Sequence, residues 1–216
     1  MKIFNKPDKK ELKKILQRPA NNYIELEKHV KVIIDDIKIF GDKALKDYTL
    51  KFDNVEIDNF EVLKEEIENS QKYLKKELID AINLAANNIH KFHKSQLSEV
   101  KIIETSPGVY CWQKSVAIEK VGLYIPGGTA PLFSTVLMLA IPATIAGCKE
   151  IILCTPPDRN GKIHPAILYA AYISGVTKIF KVGGVQAIAA MAYSTETIPK
   201  VNKIFGPGNA YVTVAK

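Results

Sequence analysis

The chain has 216 residues, 47% hydrophobic and 25% charged, with three cysteines and a formal net charge of +7. That balance excludes intrinsic disorder, a collagen-like repeat and a disulfide-stapled miniprotein, and leaves room for one large domain or two small ones. Cys111, Cys148 and Cys154 are odd in number and form no CxxC pair, so a reducing, cytoplasmic location is expected and there is no zinc-ribbon pattern.

The first twenty residues interleave charges with single apolar residues and lack the run of about 7 to 15 apolar residues that a signal peptide needs. Residues 7–97 read as helical. Ile15/Leu16, Ile24, Val30, Ile33/Ile34, Ile37 and Phe40 recur at steps of three and four with charges between them. Gly41 followed by Asp42 predicts a stop and a new N-cap, with a shorter helix over 43–52. A short strand is expected at 60–63. Helical spacing then returns over 70–97 through Tyr73, Leu74, Leu78, Ile82, Ala85/Ala86, Ile89 and Phe92. This first part is expected to form a helical N-terminal arm.

From Val100 the period changes. The sequence VKIIE, a Ser106-Pro107-Gly108 turn and a second extended run lead into strands at 121–126, 150–155, 178–182 and 203–206. Helical stretches follow them within 131–147, at 164–174, at 184–193 and from about Asn209. The alternation predicts an α/β fold, a Rossmann-like parallel sheet with flanking helices and right-handed crossovers. The uncharged run 121–148 is long enough to span a membrane, but Pro126, Gly127, Gly128, Pro131 and Pro142 argue against one continuous helix there. At Lys216 the last helix has barely begun, with no glycine or C-cap, which reads as a truncated or split protein. A parallel sheet without closing elements is expected to leave an unpaired edge and apolar surface, hence to aggregate or to need a partner.

Charge is uneven: residues 1–100 hold 19 Lys/Arg against 18 Asp/Glu, and residues 101–216 hold 11 against 5. The later lysines are scattered rather than clustered with aromatics, so an anionic small molecule or an acidic partner fits better than nucleic acid. Three strand-to-helix turns carry glycine, at 125–129, 182–186 and 206–209. In a parallel sheet all three emerge at the carboxyl ends of the strands, where glycine admits a ligand to the backbone and helix N-termini face an anion. None matches GxGxxG, and no acidic residue stands about 20 positions after Gly128 to hold a ribose. Gln186 and Asn209 could bond a ligand there or cap their helices, and Tyr124 could reach the crevice or pack against a neighbour. His90 and His93 share a helix face without a third ligand, His29 and His164 sit in polar settings, and Cys148 and Cys154 bracket a strand without a neighbouring base.

The runs VGLYIPGGTAPLFSTVLMLAIPATIAGCKEIILCTPP, ILYAAYISGV and VGGVQAIAAMAYSTETIPKVNKIFGPGNAYVTVAK resemble histidinol dehydrogenase, and GDKALKDYTLKFD does so more loosely. The resemblance implies NAD-dependent oxidation of L-histidinol to L-histidine through an aldehyde, in histidine biosynthesis, by a zinc-dependent homodimer. It implies cofactor contacts at Tyr124, Gln186 and Asn209, with residues 1–120 forming an arm and part of a first α/β domain and residues 121–216 an NAD-binding domain. The family's zinc ligands and acid/base residues lie beyond GPGNAYVTVAK, so the resemblance assigns no catalytic or metal residue here. It leaves two partners, a second copy or a complementary C-terminal half, and neither nucleic acid nor membrane. A non-catalytic remnant that binds a dinucleotide or a partner is the alternative.

Overall fold

The computed structural model describes residues 3–17, 23–128 and 130–216. Helix α1 (Lys9–Ile15) opens with a capping box. The Asp8 carboxylate accepts from the Lys10 and Glu11 amides, and Glu11 returns an oxygen to the Asp8 amide. Helix α2 (Ile24–Phe40) buries Val30, Ile33 and Ile37 at steps of three and four. Gly41, at φ +53°, ends α2 and starts α3 (Asp42–Asp53) without a linker. Asp42 is therefore the first helical residue rather than the N-cap. Its amide donates to Glu196 Oε2 at 2.7 Å, and its own carboxylate accepts from the Thr197 amide and hydroxyl. A carboxylate 154 residues away thus supplies the cap that no local side chain provides.

The stretch expected as one helix from Ser70 is broken. Helix α4 (Lys64–Glu68) and a 3₁₀ turn (Ser70–Tyr73) come first, then extended backbone at Leu74 and Lys75, then α5 (Lys76–Lys94). Leu74, before α5, still packs in the same core as Leu78 and Ile82 within it. Residues 60–63 pair with the sheet through one bridge, Glu61 to Phe180, flanked by Val62 N–H to Ile179 O at 2.9 Å and Lys181 N–H to Phe60 O at 2.8 Å. Phe60 and Val62 enter opposite cores, although residues two apart in a regular strand share a face, so this singly bridged segment departs from regular strand geometry.

Strands β1 (Ile102–Ser106) and β2 (Val109–Trp112) make an antiparallel hairpin whose residues are all exposed. The main sheet contains β3 (Lys120–Tyr124), β4 (Glu150–Thr155), β5 (Lys178–Lys181) and β6 (Lys203–Phe205), all parallel, in the order β5-β4-β3-β6. Side chains alternate between its faces. Val121, Leu123, Ile151, Leu153 and Ile179 meet α6 (Phe133–Ile145), α7 (Pro165–Ile173) and α5. Tyr124, Ile152, Cys154 and Phe180 meet α8 (Gly184–Tyr193), α9 (Ala210–Ala215), α2 and α3.

The segment 121–148 is accordingly a buried strand, a loop and a helix, and among the described residues no helix is long and apolar enough to cross a membrane. Helix α6 runs on through Pro142 into its last turn instead of stopping there. Burial of Val136, Leu137, Ala140 and Ile141 holds it against the missing donor. From β3 the chain runs to β4 and β5 on one side, then returns across the other face to put β6 on β3's free edge. The strand order reverses there, and in open α/β sheets ligands bind at the carboxyl ends beside such a point.

Candidate functional site

The three glycine turns converge at those carboxyl ends. Gly206 closes β6 at φ +142°, with its α-carbon so near the Tyr124 carbonyl that a Cβ would overlap the oxygen. Gly184 opens α8 at φ +63°, where a Cβ would stand 2.6 Å from Gln186 Oε1. Its N–H donates to the Tyr124 hydroxyl oxygen at 3.0 Å. Burial raises the Tyr124 pKa above its ordinary value, the Gly184 N–H opposes this, and the Asp53 carboxylate nearby adds to the rise. Tyr124 is therefore a neutral hydroxyl at pH 7 that already accepts one hydrogen bond and keeps a proton to donate.

Beside this contact a cavity of about 560 Å³ lies between α2, α3 and the starts of α8 and α9. Gln186 and Asn209 both line it, whereas Tyr124 stands behind Gly184 at 4% exposure. Gln186 is 1% exposed and its Oε1 has no hydrogen-bond partner among the described residues. It does not cap α8. Asn209 does cap its helix, Oδ1 accepting from the Val212 amide at 3.1 Å, and its side chain remains exposed at the cavity's rim. The opposite wall is aromatic. Tyr48 and Phe52 stack with centroids 5.6 Å apart, and Lys51 Nζ lies 5.9 and 5.6 Å from the two rings. Burial, then the hydrogen bond from its hydroxyl to Asp36 Oδ2 at 2.5 Å, pushes the Tyr48 pKa up to about 12.

Asp53, which no sequence motif singled out, shares the cavity wall, and its Oδ2 is shut off from water without a partner among the described residues. Desolvation raises its carboxyl pKa above the ordinary value. One sequence signal could have found it: an acid in the last turn of a helix, ahead of Asn54 at φ +55°, opposes the helix dipole and calls for another reason to be there. Because the folded pKa is raised, Asp53 costs no stability below the unfolded value of about 3.9 and destabilises the fold as pH rises through the folded value. Asp53→Asn should therefore raise the melting temperature relative to wild type at pH 7 and much less at pH 4. An equal difference at both pH values would mean that this carboxylate is not desolvated.

The remaining candidates lie elsewhere. His90 is exposed on α5, and His93 Nδ1 is 2.8 Å from Gln96 Oε1. His164 Nδ1 accepts from the Ala166 amide as the cap of α7. His29 does border the cavity, its Nδ1 2.9 Å from the Glu25 carbonyl. Cys154 is fully buried in the sheet with its thiol pKa pushed far up by desolvation, so it packs rather than reacts. Among the described residues no three His, Cys, Asp or Glu side chains form a group able to hold a metal ion.

The family model for histidinol dehydrogenase matches residues 16–216. The chain is 59% identical over its whole length to histidinol dehydrogenase from Bacteroides thetaiotaomicron, covering 50% of that protein. It is 55% identical over 99% of its length to the one from Buchnera aphidicola of Acyrthosiphon pisum, covering 48% of it. The crystal structure of histidinol dehydrogenase from Elizabethkingia anophelis superposes with a TM-score of 0.90 at 53% identity, over 97% of this chain and 48% of that one. The chain thus spans about half the length of the curated relatives it matches.

Proposed function

Because the chain belongs to the histidinol dehydrogenase family, we propose that it forms the dinucleotide-holding part of an enzyme that oxidises L-histidinol to L-histidine in histidine biosynthesis. The observation that carries this reading is the buried, unpartnered Oε1 of Gln186 on a cavity at the sheet's switch point. A buried acceptor without a donor costs about 1–3 kcal/mol, and a ligand that brings a donor removes the cost.

Bound NAD would supply the hydride acceptor for both oxidations, alcohol to aldehyde with loss of one proton and hydrated aldehyde to carboxylate with loss of two. This chain's own residues bind and orient. Gln186 accepts a donor of the cofactor, and the free amide of Asn209 reaches it from the rim. The Tyr124 hydroxyl holds the α8 turn through the Gly184 N–H and keeps a proton for a cofactor oxygen. The cavity's aromatic and aliphatic lining excludes water from the bound group. Zinc does not fit the described residues, since no donor set converges there, and no step is routed through it.

Ile102, Ile103, Val109, Tyr110 and Trp112 on the hairpin are all more than half exposed, which supports a second copy or a complementary chain as partner. The three free cysteines support a cytoplasmic setting.

Titration of the 216-residue chain with NADH, read by nucleotide fluorescence, tests the binding reading. Gln186→Ala and Asn209→Ala should each weaken binding about fivefold or more, the equivalent of a lost hydrogen bond of about 1 kcal/mol. Two variants that both bind within about twofold of wild type would reduce these residues to packing and capping.

A further inference from the structure

We propose that Asp53 receives the ribose hydroxyls of the dinucleotide's adenosine half, and that its charge selects NAD over NADP. The inference rests on the dinucleotide reading above and adds to it a residue and a specificity.

Two residues that line this cavity, Gln186 and Asp53, each carry a buried side-chain oxygen, Oε1 and Oδ2, with no hydrogen-bond donor among the described residues. Protein groups of this kind are otherwise nearly always paired. Among the described residues Asp53 forms no ion pair: the Lys51 side chain, two positions before it, lies toward the Tyr48 and Phe52 rings, and the Tyr124 hydroxyl, which accepts from the Gly184 N–H, makes no hydrogen bond to Asp53. The raised carboxyl pKa is what such isolation produces. A ligand that brings a hydroxyl donor supplies the missing partner.

A vicinal diol matches a carboxylate best, since its two hydroxyls meet two acceptor oxygens. In dinucleotide folds generally an acid holds the ribose 2′-hydroxyl, and a 2′-phosphate cannot approach it without like-charge repulsion and desolvation. The acid nearest the position about 20 residues after the first glycine turn, Glu150, stands at the start of β4, at the other end of the strands from the turns, and pairs with Lys120 at 2.9 Å, so the sheet offers the turns no ribose-binding acid there. Helix α3 supplies one from outside the sheet. The stacked Tyr48 and Phe52 rings beside Asp53 give the adjoining adenine a flat apolar wall.

The test compares NADH and NADPH binding to the 216-residue chain by fluorescence titration, for wild type, Asp53→Asn and Asp53→Ser, each checked for folding by circular dichroism. Wild type should prefer NADH by about tenfold or more. Asp53→Asn keeps the side-chain shape and should weaken NADH about tenfold while leaving NADPH unchanged or tighter, and Asp53→Ser should do the same. A preference in both folded variants within twofold of wild type would overturn the role of Asp53 while leaving the dinucleotide site standing. A wild-type chain that binds neither nucleotide would overturn the site itself and the proposal with it.

Discussion

Gly206→Ala is expected to lower the stability of the chain by about 3 kcal/mol or more, and to abolish NADH binding even where the variant still folds. Two costs add at this position. The backbone stands at φ +142°, a region that residues with a side chain avoid at a cost on the order of 1–3 kcal/mol. The new methyl would also overlap the Tyr124 carbonyl oxygen and press on Tyr124 C and Cα, which are backbone atoms of the central strand and cannot rotate away. Relief requires β6 to move off β3, and their three paired positions, Val121 to Lys203, Gly122 to Ile204 and Leu123 to Phe205, are all that join them in register. Asn209, three residues on, would move with the turn. Gly128→Ala is the control, because a Cβ there meets nothing within 4 Å and its φ is ordinary. It should change stability by no more than about 0.5 kcal/mol. Thermal melts decide the matter: a chain of this size loses about 2–4 °C per kcal/mol. A Gly206→Ala variant melting within that margin of wild type would mean that the β3–β6 junction is loose.

Phe180→Ala should cost about 3–5 kcal/mol, the range for deleting a buried aromatic ring. Phe180 is fully buried on the face that carries α2, α3, α8 and α9, and its backbone makes the bridge to Glu61. The loss would therefore loosen the sheet from the helices that wall the cavity. NADH affinity should fall together with stability, although Phe180 does not line the cavity. Denaturant unfolding with NADH titration separates the cases. Lost stability with unchanged affinity would show that the walls hold without the ring.

Much of this was legible in the chain. The change of period at Val100, the four strands that alternate with helices, and the glycine turn after three of them are local features, because side-chain periodicity and backbone freedom are set within a few residues. The same turns carried the family resemblance. Asn209 could be read as a helix cap from its position alone, and it is one.

What the sequence could not settle depended on residues brought together from far apart. The cap of α3 comes from Glu196, so the local rule that favoured Asp42 had no access to it. Residues 60–63 became a bridged segment because β5 offered an edge there. The break before α5 is marked by no breaker residue, and Leu74 on one side of it packs in the same core as Leu78 and Ile82 on the other. Asp53 reads in sequence as a surface acid at a helix end. Only the packing of α3 against α8 puts it on the same cavity as Gln186 and closes both oxygens off from water. The sequence by itself determined the elements, their parallel arrangement and the glycine turns, since these follow from short-range geometry. The tertiary structure alone decided which polar groups are left without partners, because desolvation is a property of the assembled fold and not of any segment of it.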